Sequence, residues 1–145
     1  MGLDTTHNAW HGSYSRFSRW RNALAEAAGW ALTNEGVSLG SGGDYTIPED
    51  RIPDMPPRGG YPNGVYLGDW PEGQPEDVLD VLMIHSDCEG DIPHRFTEPL
   101  AERLHGLLPK LAAVGDDRDD WREVTTDFIC GLMLANSRGE DVGFH

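Results

Sequence analysis

An α+β fold, with a small antiparallel or mixed sheet packed against about three helices and a long Gly/Pro-rich loop, is what this 145-residue sequence predicts. Three observations carry that expectation. Three segments repeat apolar residues at helical spacing, whereas an apolar run from Val78 to Ile84 and short stretches at both termini read as strands. Many of the 18 Gly and 10 Pro crowd between residues 36 and 75 and break regular structure there. At this length a single domain, residues 1–145, can bury a core, with 36–63 as an irregular loop inside it.

Gly2 to His7 is short and alternating, which suits an opening strand, and Asn8 to Gly12 turns the chain. Ser13 is a good N-cap for a helix in which Tyr14, Phe17, Trp20, Leu24 and Ala27 recur at helical spacing, with Gly29 just past its end. From Gly36 to Gly60, Gly40-Ser41-Gly42-Gly43, Ile47-Pro48, Ile52-Pro53 and Met55-Pro56-Pro57 exclude helix. The glycine run lacks the Lys-Ser/Thr of a phosphate loop and reads as a connection. Val65-Tyr66-Leu67, after the turn signal Pro62-Asn63-Gly64, is expected to pair antiparallel with a central strand over Val78 to Ile84. Thr97 is placed to cap a second helix with Leu100, Leu104, Leu107, Leu108 and Leu111 on one face, bent or ended by Pro109. Asp120 and Glu123 form a capping-box-like pair before Val124, Phe128, Leu132 and Ala135, and that helix should stop near Asn136 to Gly139. Asp141 to His145 is expected to close the sheet.

A formal net charge of −14 repels phosphate backbones and anionic membrane surfaces, so no nucleic-acid polymer and no membrane is expected as a partner. Cys88 lies in an acidic segment and Cys130 in an apolar helical pattern, so no disulfide framework is expected. The N-terminus lacks the charged and apolar regions of a signal peptide, and no stretch approaches the ~18 apolar residues of a membrane span, which points to the cytoplasm. Met1-Gly2 with Thr6 fits a loose myristoylation pattern, but no polybasic signal accompanies it.

Chemistry concentrates in His85-Ser86-Asp87-Cys88-Glu89-Gly90-Asp91-Ile92-Pro93. Asp87, Glu89 and Asp91 alternate as in a calcium loop, with Glu98 at the bidentate position, yet Ile92 stands where the loop glycine belongs. Zinc or another divalent metal has candidate ligands in His7, His11, His85 and Cys88, since imidazole and thiolate suit borderline-soft ions. The same residues have plainer roles, His85 as a hydrogen-bonded strand end and His11 beside the cap of the first helix. Cys88 has His85 or His94 as a neighbouring base, but the surrounding carboxylates disfavour its thiolate. A carboxylate pair working as general acid and base is open to any acidic loop of this kind. Trp10 and Tyr14 are candidates to stack on a ring, and Arg16 or Arg19, within the cluster Arg16, Arg19 and Arg21, to pair with phosphate. The solvated face of a helix is the plainer reading of those arginines, as core-edge packing is of the tryptophans.

MGLDTTHNAWHG at the start, VLMIHSDCEGDIP in the centre and GEDVGFH at the end together resemble a family of small uncharacterised proteins from bacteria and their phages. The resemblance implies that His7, His11 and the 85–91 segment form one recurring constellation, and it carries no reaction or ligand with it. Proteins of this kind often look like inhibitors of host defence or sequesterers of signalling nucleotides. The expectation is therefore a small cytoplasmic binding protein for a small-molecule ligand or a host protein, able to act as a homo-oligomer. Its ligand site would combine Trp10, Tyr14, Arg16, Arg19, Asp87, Glu89 and Asp91. A metal-dependent hydrolase built on His7, His11, His85 and Asp87 is the alternative.

Overall fold

The computed structural model describes residues 2–30, 37–38, 46–47, 74–83, 85, 90–111 and 120–145, and in them the chain is α+β. Strands β1 (Gly2–Asp4) and β2 (His11–Ser13) form an antiparallel hairpin, with Leu3 opposite Gly12. The connection between them holds a single turn of 3₁₀ helix over Thr6–Asn8. Helix α1 (Tyr14–Ala27) follows directly, because the Ser13 side chain accepts the Arg16 backbone N–H and Gly29, at φ 76°, turns the chain out of the helix. Its inner face buries Phe17, Trp20, Ala23 and Leu24. Arg21 is buried on that face too.

Within the 36–63 stretch the described residues are β3 (Val37–Ser38) and β4 (Thr46–Ile47), paired antiparallel. The rest of that expected loop, like the strand expected over 65–67, lies outside the described residues.

The central strand expected over Val78 to Ile84 is instead a short helix, α2 (Leu79–Met83). All five of its residues are buried, Asp80 among them, so no solvent-facing side of the segment marks a helical or a strand period, and a largely apolar run of this length fits both. The deciding signal lies just upstream. Asp77 accepts the Leu79 backbone N–H at 2.9 Å through Oδ1 and the Asp80 N–H at 2.9 Å through its own carbonyl, which opens a helical turn. Arg103 then clamps the Asp77 carboxylate with both Nε (3.2 Å) and Nη2 (3.1 Å).

Strand β5 (Asp91–Ile92) leads through Pro93 into α3 (His94–Leu111). That helix begins three residues before the expected cap. Thr97 sits inside its first turn and donates back to the His94 carbonyl at 2.7 Å, while the His94 N–H is received by the Asp141 carboxylate at 2.7 Å. Pro109 does not end the helix at once; the helix runs two residues further, to Leu111. Helix α4 (Trp121–Arg138) opens on Asp120, which accepts the N–H groups of Arg122 and Glu123, and closes on Gly139 at φ 65°. α3 and α4 pack against each other, and α1 lies against α3. Phe17, Trp20, Phe96 and Phe128 fill the centre, where the Trp20 indole donates to Thr125 Oγ1 at 2.9 Å.

The tail forms a final strand, as its pattern predicts, but in a two-stranded pairing rather than at the edge of the sheet expected round Val78 to Ile84. Strand β6 (Val142–Gly143) pairs antiparallel with β5, setting Gly143 opposite Asp91 and Val142 opposite Ile92. On its other side Phe144 bridges Thr5, and Asp4 and His145 exchange backbone hydrogen bonds of 3.0 and 2.8 Å. The described strands thus make three two-stranded antiparallel sheets, β1–β2, β3–β4 and β5–β6, and the Thr5–Phe144 bridge links the first to the third. No helix among the described residues is long and apolar enough to cross a membrane.

Candidate functional site

The C-terminal tail joins two stretches of chain that the sequence singles out, the N-terminal histidine segment and, of the 85–91 segment, the described residues His85, Gly90 and Asp91. Thr5 meets Phe144, Gly90 accepts the Phe144 N–H at 2.8 Å, and the His85 ring lies 4.0 Å from the Phe144 ring between centroids. A Cβ on Gly143 would sit 3.0 Å from Asp91 Oδ1 and 3.4 Å from Thr6 Cγ2, so Thr6 and Asp91 flank the same backbone unit. A side chain at 143 would require the Asp91 carboxylate to give way by a few tenths of an ångström.

Each histidine nevertheless takes its own partner. His7 adopts φ 63° and Asn8 φ 53°, left-handed conformations uncommon outside glycine. That turn folds the His7 side chain inward to 8% exposure, with Nε2 3.1 Å from Glu140 Oε1 and Nδ1 2.8 Å from Thr6 Oγ1. A carboxylate can only accept, so Nε2 carries the proton, and in the neutral ring Nδ1 accepts from the Thr6 hydroxyl. Thr6 Oγ1 in turn receives the Gly143 N–H at 2.9 Å. His11 is exposed and paired through Nδ1 with Asp4 Oδ1. His85 is buried, its carbonyl accepting from Arg21 Nη1 at 2.7 Å. Among the described residues no three His, Cys, Asp or Glu side chains come together to hold a metal. Cys88, Asp87 and Glu89 lie outside the described residues.

The aromatic and arginine candidates lie along α1 and the hairpin. Trp10 is 4% exposed, its ring stacked on Trp20 at 4.9 Å and edge-on to Phe17 at 5.1 Å. The Arg16 guanidinium lies 5.4 Å over the same indole and donates to the His11 carbonyl at 3.3 Å. Trp10 is thus a core residue whose ring already has neighbours. Tyr14 is half-buried against the core, and Arg19 lies 6.0 Å over the Trp121 ring.

Arg21 is the residue at this junction that a reading of motifs passes over. Its Nη1 donates to the carbonyls of Leu82 (3.4 Å), Met83 (3.2 Å) and His85 (2.7 Å), so it binds the last turn of α2 and the residue that begins the acidic segment. Helix C-termini leave carbonyls unsatisfied and carry partial negative charge, which explains a cation there. The guanidinium also lies 4.5 Å over the Phe17 ring. A spacing signal was present: Arg21 is four residues after Phe17 and three before Leu24, on the apolar stripe of α1. A closed ring of contacts results, running from Arg21 to Phe17, to Phe144, to His85 and back to Arg21.

Compared with protein families, with curated proteins and with solved structures, the chain matches none.

Proposed function

We propose that this chain is a small cytoplasmic binding protein that sequesters a small, nucleotide-like ligand where the Thr5–Trp10 turn, His85, Gly90, Asp91 and the C-terminal tail meet. The convergence of these three sequence-distant segments carries the reading: Phe144 bridges Thr5, Gly143 pairs with Asp91, and His85 packs on Phe144. Such a junction gives a ligand contacts from several elements at once, as binding sites generally do. The carboxylates of Asp87, Glu89 and Asp91 are acceptors for sugar hydroxyls, and the arginines of α1 supply the opposite charge. With a net charge of −14 the whole-molecule field works against polyanions, which favours one small ligand over a nucleic-acid strand.

Native mass spectrometry of protein purified from cells without a tag is expected to show a bound metabolite, and calorimetry against a panel of nucleosides and nucleotides to show saturable heat. A bare polypeptide mass together with no heat across the panel sinks the reading.

A further inference from the structure

Arg21 is 4% exposed, yet its Nε–H meets no acceptor. Its three hydrogen bonds among the described residues all leave from Nη1 and all go to neutral carbonyls. No carboxylate among the described residues pairs with it. A buried cation without a counter-charge and a buried donor left unmade are both unfavourable. Three carbonyl contacts offset part of this, but they use one corner of the guanidinium and leave its side edge, Nε with Nη2, for something else. Arg103 shows within the same molecule what that edge takes: its Nε and Nη2 hold the two oxygens of Asp77 as a fork. The indole N–H of Trp10, whose ring also touches Phe17, is likewise buried and unpartnered. Both are donors, and both call for an acceptor.

We infer that the Nε–Nη2 edge of Arg21 anchors an oxyanion, the phosphate or carboxylate group of the ligand held at this junction, an inference that rests on the ligand-binding reading above. Arg16 and Arg19 lie over indole rings; Arg21 is the arginine of α1 held in a desolvated place, where a charge-assisted fork is strongest. Its grip on the Leu82, Met83 and His85 carbonyls also fixes the guanidinium plane in advance, so little side-chain freedom is lost on binding.

The test follows the unfolding midpoint of the full chain in inorganic phosphate and in acetate, each against sodium chloride of equal ionic strength. A saturable rise is expected in one of the two, and which one identifies the group. Arg21→Lys keeps the charge and a carbonyl donor but loses the fork, and the apparent affinity for that anion should fall at least 10-fold. Should the variant fold poorly, the wild-type Arg21 Nε–H resonance, assigned through bonds, serves instead and should move along a saturable curve as the anion is added. Midpoints equal to those in chloride for both anions, an unchanged affinity in Arg21→Lys, or a stationary Nε–H signal each overturn the inference. Heat from a nucleoside while Arg21 stays silent removes the oxyanion anchor and leaves the binding reading standing; no heat from any panel member removes both.

Discussion

His7 occupies a backbone conformation that costs an ordinary L-residue about 1–2 kcal/mol, and it remains there because its ring is held at both nitrogens, by Thr6 and by Glu140. Removing the side chain separates the two effects. His7→Ala loses both hydrogen bonds and keeps the strained φ, so it should destabilise the chain by about 1–2 kcal/mol. His7→Gly loses the same bonds but adopts φ 63° freely, and it should be less destabilising than Ala by about 1 kcal/mol. Urea denaturation of the two variants reads the difference directly, and an Ala variant as stable as the Gly variant would remove the strain argument. Asp120 gives a second case at this scale. Its carboxylate receives two backbone N–H groups at the start of α4, so Asp120→Ala should cost about 1 kcal/mol in the same assay and Asp120→Asn much less.

Between elements, two glycines in helices of equal length make opposite predictions. A Cβ on Gly131 of α4 would lie 2.4 Å from Ala9 Cβ and 2.6 Å from Ala9 Cα, so the helix and the N-terminal turn touch backbone to backbone. Helix propensity favours Ala over Gly by about 1 kcal/mol, but an overpacked contact against main chain costs about 1–3 kcal/mol and cannot be relieved by a rotamer change. Gly131→Ala is therefore expected to destabilise. Gly106 of α3 has nothing within 4 Å of its Cβ position, so Gly106→Ala should stabilise by about 0.5–1 kcal/mol. Equal signs for the two substitutions would contradict the close approach of α4 to the turn. The legibility of the elements follows the same division between local and tertiary causes. Ser13, Gly29, Asp120 and Gly139 cap their helices through contacts within a few residues, and such contacts are written in the sequence. The 79–83 segment, apolar but for Asp80, is buried on every side, so no exposed face separates a helical period from a strand period. The candidate site divides likewise: the density of ligating residues near His85 marks its place and His11 finds a near neighbour in Asp4, while His7 turns to Glu140 and His85 to Phe144 and Arg21, partners far along the chain and beyond any local rule. A charge inside an apolar stripe is ordinarily solvated, and the burial of Arg21 is explained by the Leu82, Met83 and His85 carbonyls, which no local pattern places beside it.

At the scale of the whole molecule, four residues at the C-terminus hold its two ends and its middle together. Val142 and Phe144 are buried, β6 pairs with β5, and Asp4 and His145 bond reciprocally. Phe144 contributes most, since its ring touches Phe17 on α1 as well as His85. Replacing it with alanine should cost about 3–5 kcal/mol, a large share of the roughly 5–15 kcal/mol that holds a domain folded. That loss should not fall evenly. The amides of Asp4 and His145 close on each other, so once the Phe144 ring is gone both should exchange by one local opening and lose hydrogen-exchange protection together. Amides in the middle of α4, which is held by its packing on α3, should lose less. Native-state hydrogen exchange on Phe144→Ala measures all three positions in one experiment. If the Asp4 amide keeps its wild-type protection while His145 loses its own, the tail is a passenger on the N-terminal hairpin and the junction has to be held by α1 through Arg21 alone. A joint loss means instead that any ligand bound there must stabilise the tail, and its addition to the wild-type chain should slow exchange at Asp4 and His145 by the same factor.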